Sequence, residues 1–341
     1  MFAIKKIPSL LLWTLSVLPS LSTAAEVRLY TERHYEADKT IFAQFTEKTG
    51  IEVKVVKAGA NELMARMKAE TKAPQADLYL AVDAASLARA SKANLLTAIE
   101  EEKLAERFPA NLLPESKHWI PLTMRARVIV ASKERVPTNK APRTYEDLAK
   151  PAWRGQILVR SSSSHYNQSL LASILAADGK AKGFGWAQGV KDNMARPPQG
   201  NDRDQVRSVA LGLGDLAITN SYYLGLLEQS DEENDRKARA AVNVIFPNQE
   251  GRGCHVNISG AGLIKGADYS KEALELLLYL TSPEVQAQYQ TLTSEFAAIK
   301  GVEPTELQKA WGTFKPDFTN LHKLVDFQQE AVKVFDQVGW Q

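Results

Sequence analysis

Apolar residues in the first third of the chain recur with two spacings that alternate along the sequence. Short strand-like runs are followed by segments with apolar residues three and four positions apart, a spacing typical of helices. In chain order these strands and helices are predicted at residues 26–30, 37–49, 51–56, 61–70, 77–82 and 84–93. This alternation predicts a mostly parallel sheet with helices on both faces, that is, an α/β fold.

A longer apolar run at residues 120–131 predicts a strand that leaves one α/β unit and enters a second. The pattern then restarts, with strands and helices predicted at residues 156–159, 166–177, 202–211, 215–219, 242–246, 256–264, 270–280 and 283–290. The charge run at 229–239 is interpreted as a solvated loop. The amphipathic tail at 319–338 is interpreted as an element that packs on the second unit.

These two units predict a two-lobed protein with strands that cross between the lobes as a hinge. We place the first lobe at residues 25–122 plus 248–305, and the second at residues 123–247 plus 306–341. In α/β sheets, ligands bind where the carboxyl ends of strands face the starts of helices. The cleft between the lobes is therefore the expected binding site.

The first two dozen residues differ from the rest of the chain. Lys5 and Lys6 precede an apolar run at residues 10–18, and small residues at 22–24 offer a cleavage site. Residues 1–24 are therefore interpreted as a secretory signal peptide, because the apolar run is too short to span a bilayer. We expect the mature protein in the periplasm.

Charge and cysteine content narrow the functional classes. The chain has 42 basic and 40 acidic residues, so removal of the two signal-peptide lysines leaves 40 of each sign. A nearly neutral protein gives no support for nucleic acid or an acidic membrane as partner. The single cysteine, Cys254, excludes an internal disulfide and is expected to be buried and inert, the alternative being a thiol ligand paired with His255.

The segment Asn220-Ser221-Tyr222-Tyr223-Leu224-Gly225 carries the first candidate chemistry. It follows the predicted strand at 215–219, and Asn220 and Ser221 are expected to cap the next helix. Both phenols would then stand in the first helical turn, where free N–H groups and the helix dipole favour negative charge. The pair is a candidate anionic site for a hard metal ion.

Two further strand-to-helix turns carry a tyrosine, because His34-Tyr35 and His165-Tyr166 occupy equivalent places. Such turns converge in a cleft. A phenol, with its ordinary pKa of about 10, is a poor acid or base near neutrality, but as an anion it is a hard oxygen ligand. Ferric iron favours such oxygens, whereas calcium favours carboxylates and carbonyls and zinc favours His and Cys.

With these segments the chain resembles a known family. Residues 31–35, 164–167 and 220–223 are similar to the metal-ligand segments of the bacterial periplasmic ferric-iron-binding proteins, the solute receptors of iron ABC importers. The resemblance extends over the mature chain and implies a type II periplasmic binding protein fold. It also implies Fe³⁺ as the ligand carried, bound by His34, Tyr35, Tyr166, Tyr222 and Tyr223.

The charge of this ligand set predicts neighbouring cations. Four phenolates and Fe³⁺ sum to −1, and Arg125 and Arg127 alternate onto one face of the predicted crossing strand. They either balance the site or form an ion pair at the surface. His165 is expected to point away from the metal. Residues 161–164, before a helix, either hold a small anion beside the iron or serve as an ordinary cap.

The sequence thus predicts a monomeric periplasmic receptor that closes on ferric iron and delivers it to an inner-membrane iron ABC permease, without catalysing a reaction. One alternative keeps the fold but replaces the metal with a small organic solute, such as a polyamine, a phosphonate or a sugar. The other alternative is a secreted hydrolase. The sequence lacks the GxSxG motif that a nucleophile elbow would need.

Overall fold

The computed structural model of the chain describes residues 25–318 and 321–341. The predicted signal peptide lies outside these residues. The strands are β1 (Glu26–Thr31), β2 (Glu52–Lys57), β3 (Leu78–Ala81), β4 (Leu96–Thr97), β5 (Ile120–Ser132), β6 (Ile157–Leu158), β7 (Leu216–Asn220), β8 (Val242–Ile245), β9 (Cys254–Ile264), β10 (Phe296–Ala297) and β11 (Pro316–Asp317).

Helices surround these strands. They are α1 (Glu36–Thr49), α2 (Ala60–Ala69), α3 (Ala84–Lys92), α4 (Glu102–Ala105), α5 (His165–Asp178), α6 (Lys180–Asp192), α7 (Asp202–Ala210), α8 (Tyr222–Glu228), α9 (Glu233–Ala240), α10 (Ser270–Leu280), α11 (Pro283–Thr293), α12 (Glu306–Trp311) and α13 (Leu324–Val338). In the part of the chain that the structure describes, no helix has the length and apolar character needed to cross a membrane.

The strands follow the order β2-β1-β3-β9-β5-β7-β6. The pairs at the two ends, β2-β1-β3 and β7-β6, are parallel, as the alternation of strands and helices predicted. The central pairs β3-β9, β9-β5 and β5-β7 are antiparallel. The α/β prediction is confirmed, with long antiparallel strands between two parallel groups.

Strands β5 and β9 connect the two groups. The first half of β5, up to Ala126, pairs with β9, whereas Arg127 to Ala131 pair with β7. At its other end, β9 pairs with β3 and β4 of the first group. The predicted crossing strands are therefore present, while the exact lobe boundaries stay a prediction.

The charge run at 229–239 was expected to be a loop, and this expectation is wrong. Its second half is helix α9, with Glu233 and Asp235 in the first turn and Lys237 and Arg239 in the last, which suits the helix dipole. Asp235 is buried and accepts two hydrogen bonds from Arg207 of α7. Charge density indicated solvent exposure, but partners on one face bury part of this helix.

The C-terminal helix α13 confirms the predicted packing of the tail. Its buried residues Leu324, Val334, Phe335 and Val338 belong to the core, and the helix packs on α5 and α6 of the second group. It also contacts α3 of the first group, and Lys92 of α3 forms an exposed ion pair with it. Residues 319–320 of the predicted tail lie outside the described residues.

Candidate metal centre

The structure brings the four candidate tyrosines together. Tyr35 lies between β1 and α1, Tyr166 is the second residue of α5, and Tyr222 and Tyr223 begin α8 directly after β7. The hydroxyls of Tyr166 and Tyr222 are 3.3 Å apart, and the rings of Tyr222 and Tyr223 are 4.1 Å apart between centroids. The phenols thus converge where the carboxyl ends of β1 and β7 meet helix starts.

The surroundings of Tyr35, Tyr222 and Tyr223 favour the neutral form of these three phenols in the metal-free protein. Burial raises the pKa of Tyr222 well above its usual value, and Tyr166, Tyr35 and Tyr223 raise it further by mutual repulsion. The pKa of Tyr35 is also raised well above its usual value, first by burial and then by Glu295. Burial likewise raises the pKa of Tyr223. A cation must therefore displace protons to bind here.

Glu295 is a site residue that the sequence analysis missed. It is fully buried and accepts a hydrogen bond from the Tyr35 hydroxyl at 2.6 Å and another from Thr123. Its Oε1 lies 3.5 Å from a guanidinium nitrogen of Arg125. Because Glu295 and Tyr35 are 260 positions apart, only the fold joins them, and no local motif marks the glutamate.

Arg125 and Arg127 are buried beside the phenols, each only 2% exposed, so the alternative of a surface ion pair is wrong. Their guanidinium carbons lie 5.7 and 5.8 Å from the Tyr166 ring centre, and that of Arg160 lies 5.3 Å away. Asp202, the first residue of α7, accepts hydrogen bonds from both Arg127 and Arg160. These guanidiniums surround Tyr166 with positive charge.

The expected caps of α8 are not formed. Ser221 already has helical backbone angles, and no side chain in the described residues caps this helix. The Ser221 hydroxyl instead accepts from the backbone N–H of Ala126, and Asn220 Oδ1 accepts from Arg127 at 3.2 Å. Ser221 thus ties the start of α8 to β5 at Ala126, and Asn220 at the end of β7 holds the Arg127 guanidinium.

The two histidines lie in different surroundings. His34, a proposed ligand, is exposed beside Tyr35. His165, expected on an extended turn that points away, is the first residue of α5, and its ring packs edge-on against Tyr166 at 4.1 Å between centroids. Its Nε2 is buried and has no hydrogen-bond partner among the described residues. Burial lowers the pKa of His165.

Only some of the serine hydroxyls in the turn before α5 form hydrogen bonds within the described residues. Ser161 Oγ accepts from the backbone N–H of Ser163 and contacts the Ser163 hydroxyl. Ser164 precedes the helix, but its hydroxyl is buried without a partner in the described part of the chain. Ordinary capping by Ser164 is therefore wrong, and the helix start keeps donors free for an anion.

Cys254 is buried, as expected, and burial raises the pKa of its thiol to about 12. The thiol lies 3.4 Å from the Tyr145 hydroxyl, whereas the side chain of His255 contacts Ser169 at 3.0 Å. The alternative of a Cys-His ligand pair is therefore wrong. Within residues 25–318 and 321–341, no cluster of three His, Cys, Asp or Glu side chains suits a metal ion, so the tyrosines are the metal candidate.

Glu32, in the turn that carries His34 and Tyr35, gives a stability prediction. Burial raises its pKa from 4.5 to about 7, against the opposing effect of a hydrogen bond from Tyr79. The folded protein therefore holds this proton where the unfolded chain has lost it, and stability falls as the pH rises between these two values. We expect Glu32→Gln to be more stable than the wild type at pH 8, by about 1–3 kcal/mol, and to lose most of this advantage below pH 5.

Urea unfolding of the iron-free protein at both pH values measures this difference. The matched control is Glu36→Gln, four residues further on, where the carboxylate is exposed and pairs with Lys39. That variant should show no gain at pH 8. An equal gain for Glu32→Gln at both pH values would contradict a titrating Glu32.

Comparison with known proteins places the chain in a family. The profile of the bacterial extracellular solute-binding proteins matches residues 40–316. Iron uptake protein A1 of Synechocystis sp. is 39% identical over 315 residues, which cover 92% of this chain and 87% of that protein. The major ferric iron-binding protein of Neisseria meningitidis serogroup B is 26% identical over 273 residues, 80% of each protein.

Solved structures agree with the sequence relatives. A Trichodesmium protein in complex with iron and citrate has a TM-score of 0.88 and 41% identity, over 93% of this chain and 100% of that one. A ferric binding protein from Campylobacter jejuni has a TM-score of 0.85 and 38% identity, over 92% and 100%. The predicted type II periplasmic binding protein fold is confirmed. The chain therefore belongs to the bacterial extracellular solute-binding protein family, among relatives that are iron-uptake and ferric-iron-binding proteins.

Proposed function

We propose that this protein captures ferric iron in the periplasm through its tyrosine phenolates and one histidine and delivers it to an inner-membrane ABC importer. The observation that carries the proposal is the convergence of Tyr35, Tyr166, Tyr222 and Tyr223 on one point. The iron is cargo, and the protein catalyses no reaction on it. The matching relatives, which include iron uptake proteins and ferric-iron-binding proteins, support the metal assigned.

Charge balance supports a trivalent cation. In the cluster of Arg125, Arg127, Arg160, Glu295 and Asp202, three guanidiniums face two carboxylates, a surplus of one positive charge. Fe³⁺ with four phenolates adds −1 and brings this buried group to neutrality. A divalent cation with the same phenolates would leave a buried negative charge. The guanidiniums near Tyr166 thus favour the ferric complex over a divalent one.

Capture and release follow from the placement of the ligands. Tyr35 belongs to the first strand group, whereas Tyr166, Tyr222 and Tyr223 belong to the second, so a bound ion would hold the two groups together. The affinity of the site and the angle between the groups are then linked. An importer that separates the groups would weaken the site and take the iron, and we assign this role to an ABC permease.

A small anion is compatible with the site. The start of α5 lies next to Tyr166, and its Ser164 hydroxyl has no hydrogen-bond partner among the residues that the structure describes. The Trichodesmium relative was solved with citrate as well as iron. We assign an anion to the helix start as an accessory to the phenolates, which supply the negative charge by themselves.

The test is a visible-absorbance titration of the chelator-stripped mature protein with ferric citrate. Phenolate bound to Fe³⁺ absorbs visible light by charge transfer, so a coloured band should grow and saturate at one equivalent. A titration that stays colourless would reject the proposal. The organic-solute alternative then gains support if a polyamine, phosphonate or sugar raises the melting temperature of the chelator-treated protein.

The two histidines offer a matched pair of variants for the nitrogen ligand. We expect His34→Ala to weaken ferric affinity about 10- to 100-fold, because it removes a coordinating group next to Tyr35. His165→Ala should have a smaller effect, because His165 packs on the Tyr166 ring. Competition with citrate measures both affinities. A larger loss in His165→Ala would move the nitrogen ligand to His165, whose Nε2 is buried and has no partner within the described residues.

A further inference from the structure

Arg33 is a buried cation in the turn that carries Tyr35, between β1 and α1. Its side chain is fully buried, and its backbone N–H donates to Thr31 Oγ1 at 3.0 Å. A guanidinium removed from water needs a partner, because an unpaired charge is costly to bury. Asp38, in the first turn of α1, is this partner, and its Oδ1 lies 3.0 Å from Arg33 Nη2.

Two tyrosine rings contact this guanidinium. Its carbon lies over the ring of Tyr35, 4.6 Å from the ring centre, and over the ring of Tyr289, 5.0 Å from the centre. Tyr289 is fully buried in α11, and its hydroxyl donates to Asp38 Oδ1 at 3.0 Å. A guanidinium is planar, so its face can contact a ring while its N–H groups reach a carboxylate. Arg33 is thus anchored by α1 and α11 and contacts Tyr35 from this anchored position.

Packing alone does not enclose the ring of Tyr35. Its side chain is only partly buried and lies at the edge of the core. Glu295 accepts from its hydroxyl at 2.6 Å, but this contact uses the atom that would coordinate iron, so a metal ion must displace it. Arg33 instead contacts the face of the ring and leaves the oxygen free. The contact with Arg33 is therefore the one that is compatible with coordination.

We propose that Arg33 is a positioning residue for the metal centre. Anchored by Asp38 and Tyr289, its guanidinium holds the ring of Tyr35 in the orientation in which the oxygen reaches the ion. The inference rests on the proposed function, because Arg33 acts through Tyr35 as a ligand. Among the four candidate tyrosines, Tyr35 alone comes from the first strand group, so Arg33 determines how that group contacts the ion.

The test removes the ion pair as a whole. Arg33→Met alone would leave Asp38 buried without its cation, so it is combined with Asp38→Asn, whose amide oxygen still accepts from Tyr289. This double substitution is called the Arg33 pair variant. A second variant, Arg33→Lys, keeps the charge next to Asp38 but lacks the planar group that contacts the ring. Thermal unfolding shows which variants fold, and Arg33→Lys takes the place of the pair variant if the latter does not.

The first strand group offers a matched control. Arg28 in β1 pairs with the buried Asp77 at 2.8 Å, and its guanidinium carbon lies 5.0 Å from the ring centre of Tyr269. These contacts are of the same kind, but Tyr269 is not a candidate ligand. Arg28→Met combined with Asp77→Asn, the Arg28 pair variant, therefore removes an ion pair and a ring contact without touching the metal centre.

The first measurement is made without iron. Crystal structures of the chelator-stripped wild type and of both pair variants show the orientation of the Tyr35 ring within the first strand group. We expect one ordered orientation in the wild type and in the Arg28 pair variant. In the Arg33 pair variant the ring should be displaced or occupy several orientations, because its anchored contact is gone. An ordered ring in the wild-type orientation in that variant would overturn the proposal.

The second measurement is made with iron. The Arg33 pair variant should bind Fe³⁺ about 10- to 100-fold more weakly than the wild type, which is the usual cost of removing a partner that orients a ligand. Its charge-transfer band should move to longer wavelength, because loss of the cation beside Tyr35 raises the energy of the phenolate electrons. Arg33→Lys should keep the band close to its wild-type position and lose less affinity. The Arg28 pair variant should match the wild type in both respects.

The Tyr35→Phe background shows whether Arg33 acts through Tyr35. In this background the Arg33 pair substitutions should cost no further ferric affinity and should not move the band, because the ligand on which Arg33 acts is absent. An equal loss with and without the Tyr35 hydroxyl would overturn the positioning role. A colourless titration of the wild type would reject the proposed function and this inference with it. A coloured wild type with an unmoved Tyr35 ring in the Arg33 pair variant would reject this inference alone.

Discussion

Tyr222→Phe is expected to lower the affinity for ferric iron by at least about 100-fold, because loss of an outer-shell partner alone typically costs 10- to 100-fold. The substitution removes a coordinating oxygen and its negative charge together. The charge-transfer band should vanish or shift strongly, since the Tyr222 hydroxyl lies at the centre of the group, 3.3 Å from that of Tyr166. Titration with ferric citrate in competition with a stronger chelator measures the loss.

The same substitution should leave the fold intact. Tyr222 is only 5% exposed, and the phenyl ring retains its packing while one hydroxyl, 3.3 Å from that of Tyr166, is removed. We expect a change of no more than about 1 kcal/mol in the free energy of unfolding without iron. Tyr279→Phe is the matched control, because Tyr279 packs on Phe45 and its hydroxyl is 3.5 Å from Gln44. Unchanged ferric affinity in Tyr222→Phe would reject the phenolate site.

Local sequence patterns were sufficient for much of the fold. Strands and helices of the first group follow apolar spacing, because burial on one face of a helix or on both faces of a parallel strand requires it. The three tyrosine-bearing turns were also predictable, since a strand followed by a helix places its turn at the carboxyl edge of the sheet. Tyr35, Tyr166 and Tyr222 therefore could be grouped before the structure was known.

Contacts between distant segments could not be read in the same way. Glu295 follows α11 by two residues and reaches Tyr35 only because β10 pairs with β5. The role of Asp202 as a shared partner of Arg127 and Arg160 depends on where α7 lies beside β7. The sequence predicts Ser221 as a helix cap, but in the fold its hydroxyl accepts a hydrogen bond from the backbone N–H of Ala126 in β5. Local propensity loses to tertiary hydrogen bonds at such positions.

The polar surroundings of the phenols bear directly on how iron is released. Gly225 lies one turn after Tyr222, and an added Cβ there would collide with Ser294, the neighbour of Glu295. Close approach of α8 to this segment thus brings the tyrosine pair near the carboxylate that accepts from Tyr35. Burial and Glu295 both raise the pKa of Tyr35 without metal, so protons compete with iron for this ligand.

Acid is therefore expected to release the iron steeply. The pKa values of Tyr35 and Tyr222 lie well above their usual range without metal, and that of Tyr223 is raised too, so each of these phenols is protonated between pH 5 and 8. Each coordinating phenol then gives up one proton, and the iron-free protein binds more protons than the loaded one. The logarithm of the binding constant for free Fe³⁺ should rise with pH, by about four per unit if all four phenols coordinate.

This slope equals the number of protons released for each iron bound, so it distinguishes phenolate ligands from carboxylate ligands. It is measured from pH 5 to 8 by competition with a chelator whose own proton-dependent ferric affinity is known. Tyr223→Phe should lower the slope by about one, because one fewer proton leaves, whereas Tyr279→Phe should not change it. A carboxylate-based site would lose its pH dependence above about pH 6, since carboxylates are already ionised there. A slope below about two would therefore contradict coordination by four phenolates, because too few protons would be released.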